Sequence, residues 1–264
     1  MITDSKIAVI TGASSGIGAA YAERFARRGY DLVLVARRAE RLQSLAASLT
    51  DQYGVRVESL VADLASEEGQ ARVEQRLASS PAVSVLVNNA GIARLATIST
   101  SPLQDSLAQI ALNMTALTRL THAILPGMLA RNTGSIINIS SVMALNTLPI
   151  SSVYSGSKAF VLAFSRGLQQ ELADTGVKVQ VVLPAATATE IWDQSGVPFA
   201  ALPPEAVMTT DNLVDAALAA FDQGETVTLP SVAELGMIDN FESSRIALFG
   251  AAQTGKVAPR LQSR

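Results

Sequence analysis

Residues 7–18 read IAVITGASSGIG: an apolar run of strand length, a glycine-rich turn, and then a helical pattern that sets Tyr21, Phe25 and Ala26 on one apolar face. Glycines at 12, 16 and 18 allow a tight turn, a close backbone approach to a pyrophosphate, and close packing of helix on strand. The phosphates would lie at the positive end of the helix. Ser14, Ser15 and Ile17 complete this expected cofactor loop. Gly12-Ala13-Ser14-Ser15-Gly16 also fits Gly-x-Ser-x-Gly, the nucleophile elbow of α/β-hydrolases, with His122 as the one histidine able to serve as base. Two facts count against a hydrolase. The elbow would sit on the first strand, with no earlier strand and loop to supply an oxyanion hole, and His122 lies inside a helical pattern.

Outward from this unit, apolar runs of strand length recur at Ile7–Ile10, Leu32–Val35, Val55–Val61, Val83–Val87, Ile136–Ile139, Val177–Leu183 and Thr226–Leu229. Helical periodicity fills the gaps, at about Ile17–Arg28, Ala39–Asp51, Glu67–Ala78, Pro102–Arg131, Val153–Asp174 and Asp211–Phe221. Continuous apolar strands alternating with helices predict an α/β fold, a Rossmann-type doubly wound parallel sheet of about seven strands with helices on both faces. Gly29, Gly54, Gly134 and Gly176 each follow a helix and precede a strand, where a left-handed cap is expected. The segment from Pro184 to Pro204 holds four prolines and the only tryptophan, and its length predicts a binding loop or lid. No linker divides the chain, so one domain is expected over 1–264, ending in a helix and a polar tail at about 250–264.

Composition narrows the function. Twenty Lys and Arg against 23 Asp and Glu give a net charge of -3, with no electrostatic footprint for nucleic acid. The absence of cysteine excludes disulfides, thiolate nucleophiles and Cys-ligated metals, and no metal site is expected. No stretch reaches the ~18 unbroken apolar residues of a membrane span. The start, MITDSKIAVIT, lacks the flanks of a signal peptide, so a cytoplasmic protein is expected.

At the end of the second strand, Ala36 stands where an NAD site places an acid for the ribose 2′-hydroxyl, and Arg37-Arg38 follow. Guanidinium groups suit a 2′-phosphate through paired charge-assisted hydrogen bonds, so NADP(H) is the expected cofactor. Tyr154 and Lys158 lie four apart at the start of a predicted helix and share one face. An ammonium about 5 Å from a phenol, at an effective dielectric of about 20, would favour phenolate by roughly 3 kcal/mol, about two pKa units.

Taken together, TGASSGIG at 11–18, Asp63-Leu64, Asn88-Asn89-Ala90-Gly91, Asn113, Ser141 and Tyr154-x3-Lys158 resemble the short-chain dehydrogenase/reductase family, in its single-domain branch, from about Lys6 to Leu229. The resemblance implies hydride transfer between a nicotinamide and a carbonyl or secondary alcohol. Tyr154 would be the general acid or base, Lys158 would lower its pKa and hold the nicotinamide ribose, and Ser141 would bind the substrate oxygen. Asn113 would hold a relay water. Asp63 and Leu64 would meet the adenine, while Asn89, Ala90 and Gly91 would let the cofactor lie against the main chain. Pro184 and Thr187 would flank the carboxamide, but Ala185 stands where many relatives have glycine, which puts the geometry of that loop in question. Trp192 and Phe199 are the expected substrate contacts, and their character points to an apolar or aromatic ketone or aldehyde. The rival reading is a non-catalytic NADP-binding redox-sensing regulator, which could dispense with the proton donor. The family also implies a homotetramer or homodimer, paired through Pro102–Arg131 and Val153–Asp174.

Overall fold

The structure, a computed structural model, describes residues 6–262. The leader reading of residues 1–5 and the last two residues of the expected tail lie outside the described residues. The chain divides into two compact units, Met1–Pro230 and Ser231–Arg264.

The first unit is a seven-stranded sheet in the order β3-β2-β1-β4-β5-β6-β7, with every pairing parallel. The strands are β1 (Ile7–Thr11), β2 (Asp31–Ala36), β3 (Val57–Val61), β4 (Val83–Asn88), β5 (Gly134–Ile139), β6 (Val177–Val182) and the two-residue β7 (Val227–Thr228). All seven predicted strands are present. Each central strand is apolar along its length because both its faces are covered. In β1, Ala8 and Ile10 enter one core and Val9 the other.

The first core lies under α1 (Gly16–Arg27), α2 (Ala39–Tyr53) and α7 (Thr210–Asp222), through Tyr21 and Phe25, Leu42 and Leu49, and Leu213 and Val214. The second lies under α3 (Glu67–Ala78), α5 (Leu117–Arg131) and α6 (Ser152–Glu171), through Val73 and Leu77, Leu120 and Ile124, and Leu168. Strand order reverses between β1 and β4, so the connections leaving their carboxyl ends run to opposite faces of the sheet and open a crevice, the usual ligand position in such sheets.

The predicted helix over 102–131 is three pieces. The first, α4 (Leu103–Ile110), runs into a π-helical segment, Ala111–Ala116, before α5 begins. Two of the four expected left-handed caps also differ. Gly29 and Gly54 have φ of 79° and 69°, as expected, but the cap of α5 is Asn132, at φ 49°. Gly134 instead makes room for the Met128 side chain, and Gly176 for the Asn132 carbonyl. Asn132 is among the few residue types besides glycine that enter the left-handed region readily, and its Oδ1 accepts from the Gly176 N–H, 44 positions on, at 2.6 Å.

The second unit contains α8 (Leu235–Ala252), an 18-residue helix with no buried residue, on which Leu235, Met237, Leu248 and Phe249 are exposed. No helix among the described residues is long and apolar enough to cross a membrane.

Candidate active site

The crevice is a cleft of about 610 Å³ over the carboxyl ends of the strands. Its floor is the glycine turn. Gly12 and Gly16 hold φ of 66° and 57°, a region glycine enters without cost. A Cβ on Gly12 would stand 2.8 Å from Asn89 Nδ2, and one on Gly18 would collide with the Gly12 carbonyl. Asn89 locks the turn from across the switch point, its Nδ2 donating to the Thr11 carbonyl at 2.8 Å. Thr11 Oγ1 accepts from the Asn89 and Ala90 N–H groups at 2.9 and 3.0 Å and donates to the Val87 carbonyl at 3.1 Å. Helix α1 starts with neither a side-chain cap nor an acid in its first turn, so its N–H groups are left for an anion. These features fit the pyrophosphate of a dinucleotide.

Along the cleft walls stand Ser14, Ser15, Ile17, Arg37, Arg38, Asp63, Leu64, Ala90, Gly91, Ser141, Tyr154, Lys158, Pro184, Thr187 and Trp192. Three expected residues stand apart from that lining. Gly18 lies behind the turn, Asn113 is buried beneath the wall, and Phe199 is 46% exposed and does not line the cleft. Phe199, an expected substrate contact, sits on its own 3₁₀ turn, Phe199–Ala201, next to the exposed stretch 200–201. Ala185 lines the cleft without a positive φ, so alanine fits there unstrained. His122 is exposed on α5, in a separate groove with Glu74 and Arg119, and cannot act as a hydrolase base.

Tyr154 and Lys158 share the inner face of α6. Ser140 and Ser141 follow β5 with different tasks: Ser140 Oγ donates to the Lys158 carbonyl at 2.7 Å and anchors the helix, while Ser141 Oγ accepts from the Met143 N–H at 3.1 Å on the cleft wall it shares with Tyr154. Lys158 is only 5% exposed, and its Nζ donates to the Ile139 carbonyl at 3.0 Å. Asn113 sits in the π-helical segment, where a widened turn turns its side chain inward. Its Oδ1 accepts from the Ile92 N–H at 2.9 Å, and its Nδ2 donates to the Ile92 carbonyl and to Ser157 Oγ, each at 3.0 Å. Such π segments concentrate at functional sites.

The electrostatics correct one expectation. Burial pushes the Tyr154 phenol up to about 12, opposed by the nearby Ser141 hydroxyl, and burial pushes the Lys158 ammonium down to about 8. The expected lowering of the phenol is absent: Lys158 Nζ stands 5.7 Å from the ring centroid and is bonded to the Ile139 carbonyl, and desolvation of the phenol dominates.

The segment over the cleft is tied at both sides. Arg94 donates from Nη1 to the Gln194 carbonyl at 2.6 Å and from Nη2 to Gln194 Oε1 at 2.8 Å, and the Leu95 N–H reaches the Ser195 carbonyl at 2.6 Å. On the other side Glu190 pairs with Arg38 and Arg41. Within the segment, Trp192 Nε1 donates to the Thr187 carbonyl at 2.8 Å. Arg94, Glu190, Thr11 and Ser157 are all absent from the sequence-based site. Only Thr11, adjacent to the glycine turn, carried a local signal.

The model of the short chain dehydrogenase family matches residues 6–197. The chain is 40% identical over 189 residues to a very-long-chain 3-oxoacyl-CoA reductase of Anas platyrhynchos, covering 70% of this chain and 60% of that protein. It therefore spans about 60% of the length of the curated relatives it matches. Among solved structures, a short-chain dehydrogenase from Sphingobium yanoikuyae in complex with NADPH superimposes with a TM-score of 0.94 at 46% identity, over 97% of this chain and 100% of that one. A bulky-bulky ketone specific alcohol dehydrogenase from Comamonas testosteroni superimposes with a TM-score of 0.90 at 38% identity, over 99% and 100% of the two chains.

Proposed function

The chain belongs to the short chain dehydrogenase family of oxidoreductases, and on that premise we propose that it is an NADP(H)-dependent reductase of apolar or aromatic ketones or aldehydes. One observation carries the reading: Ser141, Tyr154 and Lys158 meet on the wall of a cleft that has two arginines at its nucleotide end. The NADPH complex of the Sphingobium relative and the bulky ketone preference of the Comamonas relative agree with it. Bound in this cleft, the nicotinamide dinucleotide would supply the hydride.

The chain's own residues would do the rest. Ser141 donates to the carbonyl oxygen and orients it. A phenol held near 12 stays protonated at neutral pH, so Tyr154 is poised to deliver the proton to that oxygen as negative charge develops there. Lys158 lines the same wall, its Nζ 3.5 Å from the position a Cβ on Gly91 would take, and Asn113 would hold a water through which solvent returns the proton. Val142, Met143, Leu148, Ile150, Trp192 and Val197 give the substrate end an apolar lining and exclude water from the reacting centre.

In the same reading the protein is cytoplasmic and pairs as a homodimer or homotetramer through α4, α5 and α6. Leu103, 71% exposed, and the exposed Leu107 and Ile110 on α4 support such pairing. Light scattering at micromolar concentration should show a species larger than the monomer.

The test of activity is a panel of apolar and aromatic ketones and aldehydes, followed by NADPH and NADH consumption. Turnover with NADPH is expected, and Tyr154→Phe should cut it by at least ~100-fold while leaving cofactor binding nearly intact. NADPH binding without turnover on any substrate would favour the non-catalytic regulator instead.

A further inference from the structure

Glu190 opens the 3₁₀ turn Glu190–Gln194 of the segment over the cleft. Its carboxylate accepts from Arg38 Nη1 and from Arg41 Nη1, each at 2.6 Å. Arg38 also reaches back to the glycine turn, with Nε and Nη2 donating to Ser14 Oγ at 3.1 and 2.9 Å and Nη2 to Ser15 Oγ at 2.7 Å. The overlying segment touches the turn directly, since a Cβ on Gly16 would lie 3.1 Å from Thr189 Cγ2. Arg37, by contrast, lines the cleft and makes no hydrogen bond or ion pair among the described residues.

Two guanidinium groups flanked by two serine hydroxyls make a donor set suited to a phosphate monoester. In this structure a carboxylate of the protein's own fills it. The arginines hold the Glu190 carboxyl at about 2, Arg38 contributing most, so it is an anion at any working pH. We infer that Glu190 is an internal substitute for the cofactor's 2′-phosphate, competing with it for Arg38 and Arg41 and latching the start of the overlying segment until a 2′-phosphate displaces it.

The inference rests on the NADP(H) reading and deepens it, because it makes Glu190 a determinant of cofactor choice. A dinucleotide without the 2′-phosphate leaves the latch closed. One with it must first remove an anion, and in exchange frees the turn that carries Trp192. Removing the Glu190 charge therefore strengthens only the phosphorylated ligand. Arg38 and Glu190 are half exposed, at 42% and 43%, so solvent and salt moderate the effect. A gain of about five- to tenfold at low ionic strength, shrinking at high salt, is the expected size.

The test uses two fragments that engage the nucleotide end alone, adenosine 2′,5′-bisphosphate and ADP. Their affinities are measured by calorimetry for the wild type, Glu190→Gln, Glu190→Ala and the double variant Arg38→Ala/Glu190→Gln. In the wild type the bisphosphate should bind more tightly than ADP and shift the Trp192 emission, while ADP leaves the emission unchanged. Both single variants should bind the bisphosphate about five- to tenfold more tightly, keep ADP within about twofold, and show the shifted emission without ligand. The double variant should lose the gain. Unchanged or weaker bisphosphate binding in both single variants would make Glu190 a support for Arg38 and overturn the inference. Equal tightening of both fragments would overturn it as well. A wild type that binds ADP as well as the bisphosphate would remove the NADP(H) reading itself, and this inference with it.

Discussion

Lys158→Met should make the cofactor-free protein more stable and catalytically dead. Lys158 is 5% exposed, and burial holds its ammonium near pH 8, against about 10.4 for a free lysine. At about 1.4 kcal/mol per unit, keeping it charged in the folded state costs at most ~3 kcal/mol. The same ammonium donates to the Ile139 carbonyl at 3.0 Å, and losing that bond costs ~1–2 kcal/mol. Methionine fills similar space without charge, which leaves a net gain of ~1–2 kcal/mol, or roughly 3–6 °C in Tm for a chain of this size.

The sign with pH follows from the direction of the shift. Between about pH 8 and 10.5 the unfolded chain holds a proton that the folded wild type has released, so wild-type stability rises across that window. The advantage of the variant is therefore full below pH 8 and should vanish or invert by about pH 10.5, where only the lost hydrogen bond remains. Urea unfolding followed by circular dichroism at pH 7, 9 and 10.5, without cofactor, measures it. A variant less stable than wild type at pH 7, or a gap equal at pH 7 and 10.5, would refute the reasoning.

Gly18→Ala should abolish cofactor binding and cost at least ~2 kcal/mol of stability, because its Cβ has no space beside the Gly12 carbonyl and Asn89 Nδ2; calorimetric titration and urea melts check both. Arg94→Ala should release Gln194 and speed proteolysis within residues 184–204, with kcat/KM falling roughly tenfold and global stability changing by less than ~1 kcal/mol. Unaltered cleavage in that variant would mean that Leu95 and Glu190 suffice to hold the segment.

The sheet was legible because its central strands are buried on both faces, which leaves an unmistakable run of Val, Ile and Leu between polar helices. The glycine turn was legible because strand, turn and helix are contiguous in sequence. What stayed hidden depends on partners far along the chain. Nothing local to Glu190 announces that it meets Arg38, 152 positions away, and nothing near Arg94 points to Gln194, 100 positions away. The ionisation of Tyr154 was misjudged for a related reason: helical spacing brings a lysine near, but whether its charge helps depends on how deeply both groups are buried and where the ammonium points.

The π-helical segment Ala111–Ala116 has a consequence for how this region tolerates change. One residue on an α-helix subtends about 100°. The widened turn therefore sets the rotation of α4, with its outward Leu103 and Leu107, independently of the rotation that aims Asn113 inward at Ile92 and Ser157. Deleting a single residue between Ala111 and Ala116 would restore an unbroken α-helix of the kind the apolar periodicity suggests, and would swing one surface by about a quarter turn relative to the other. The irregular turn acts as a phase adjuster: it lets one continuous stretch of chain present an apolar exterior and an interior asparagine whose spacing no regular helix would satisfy together.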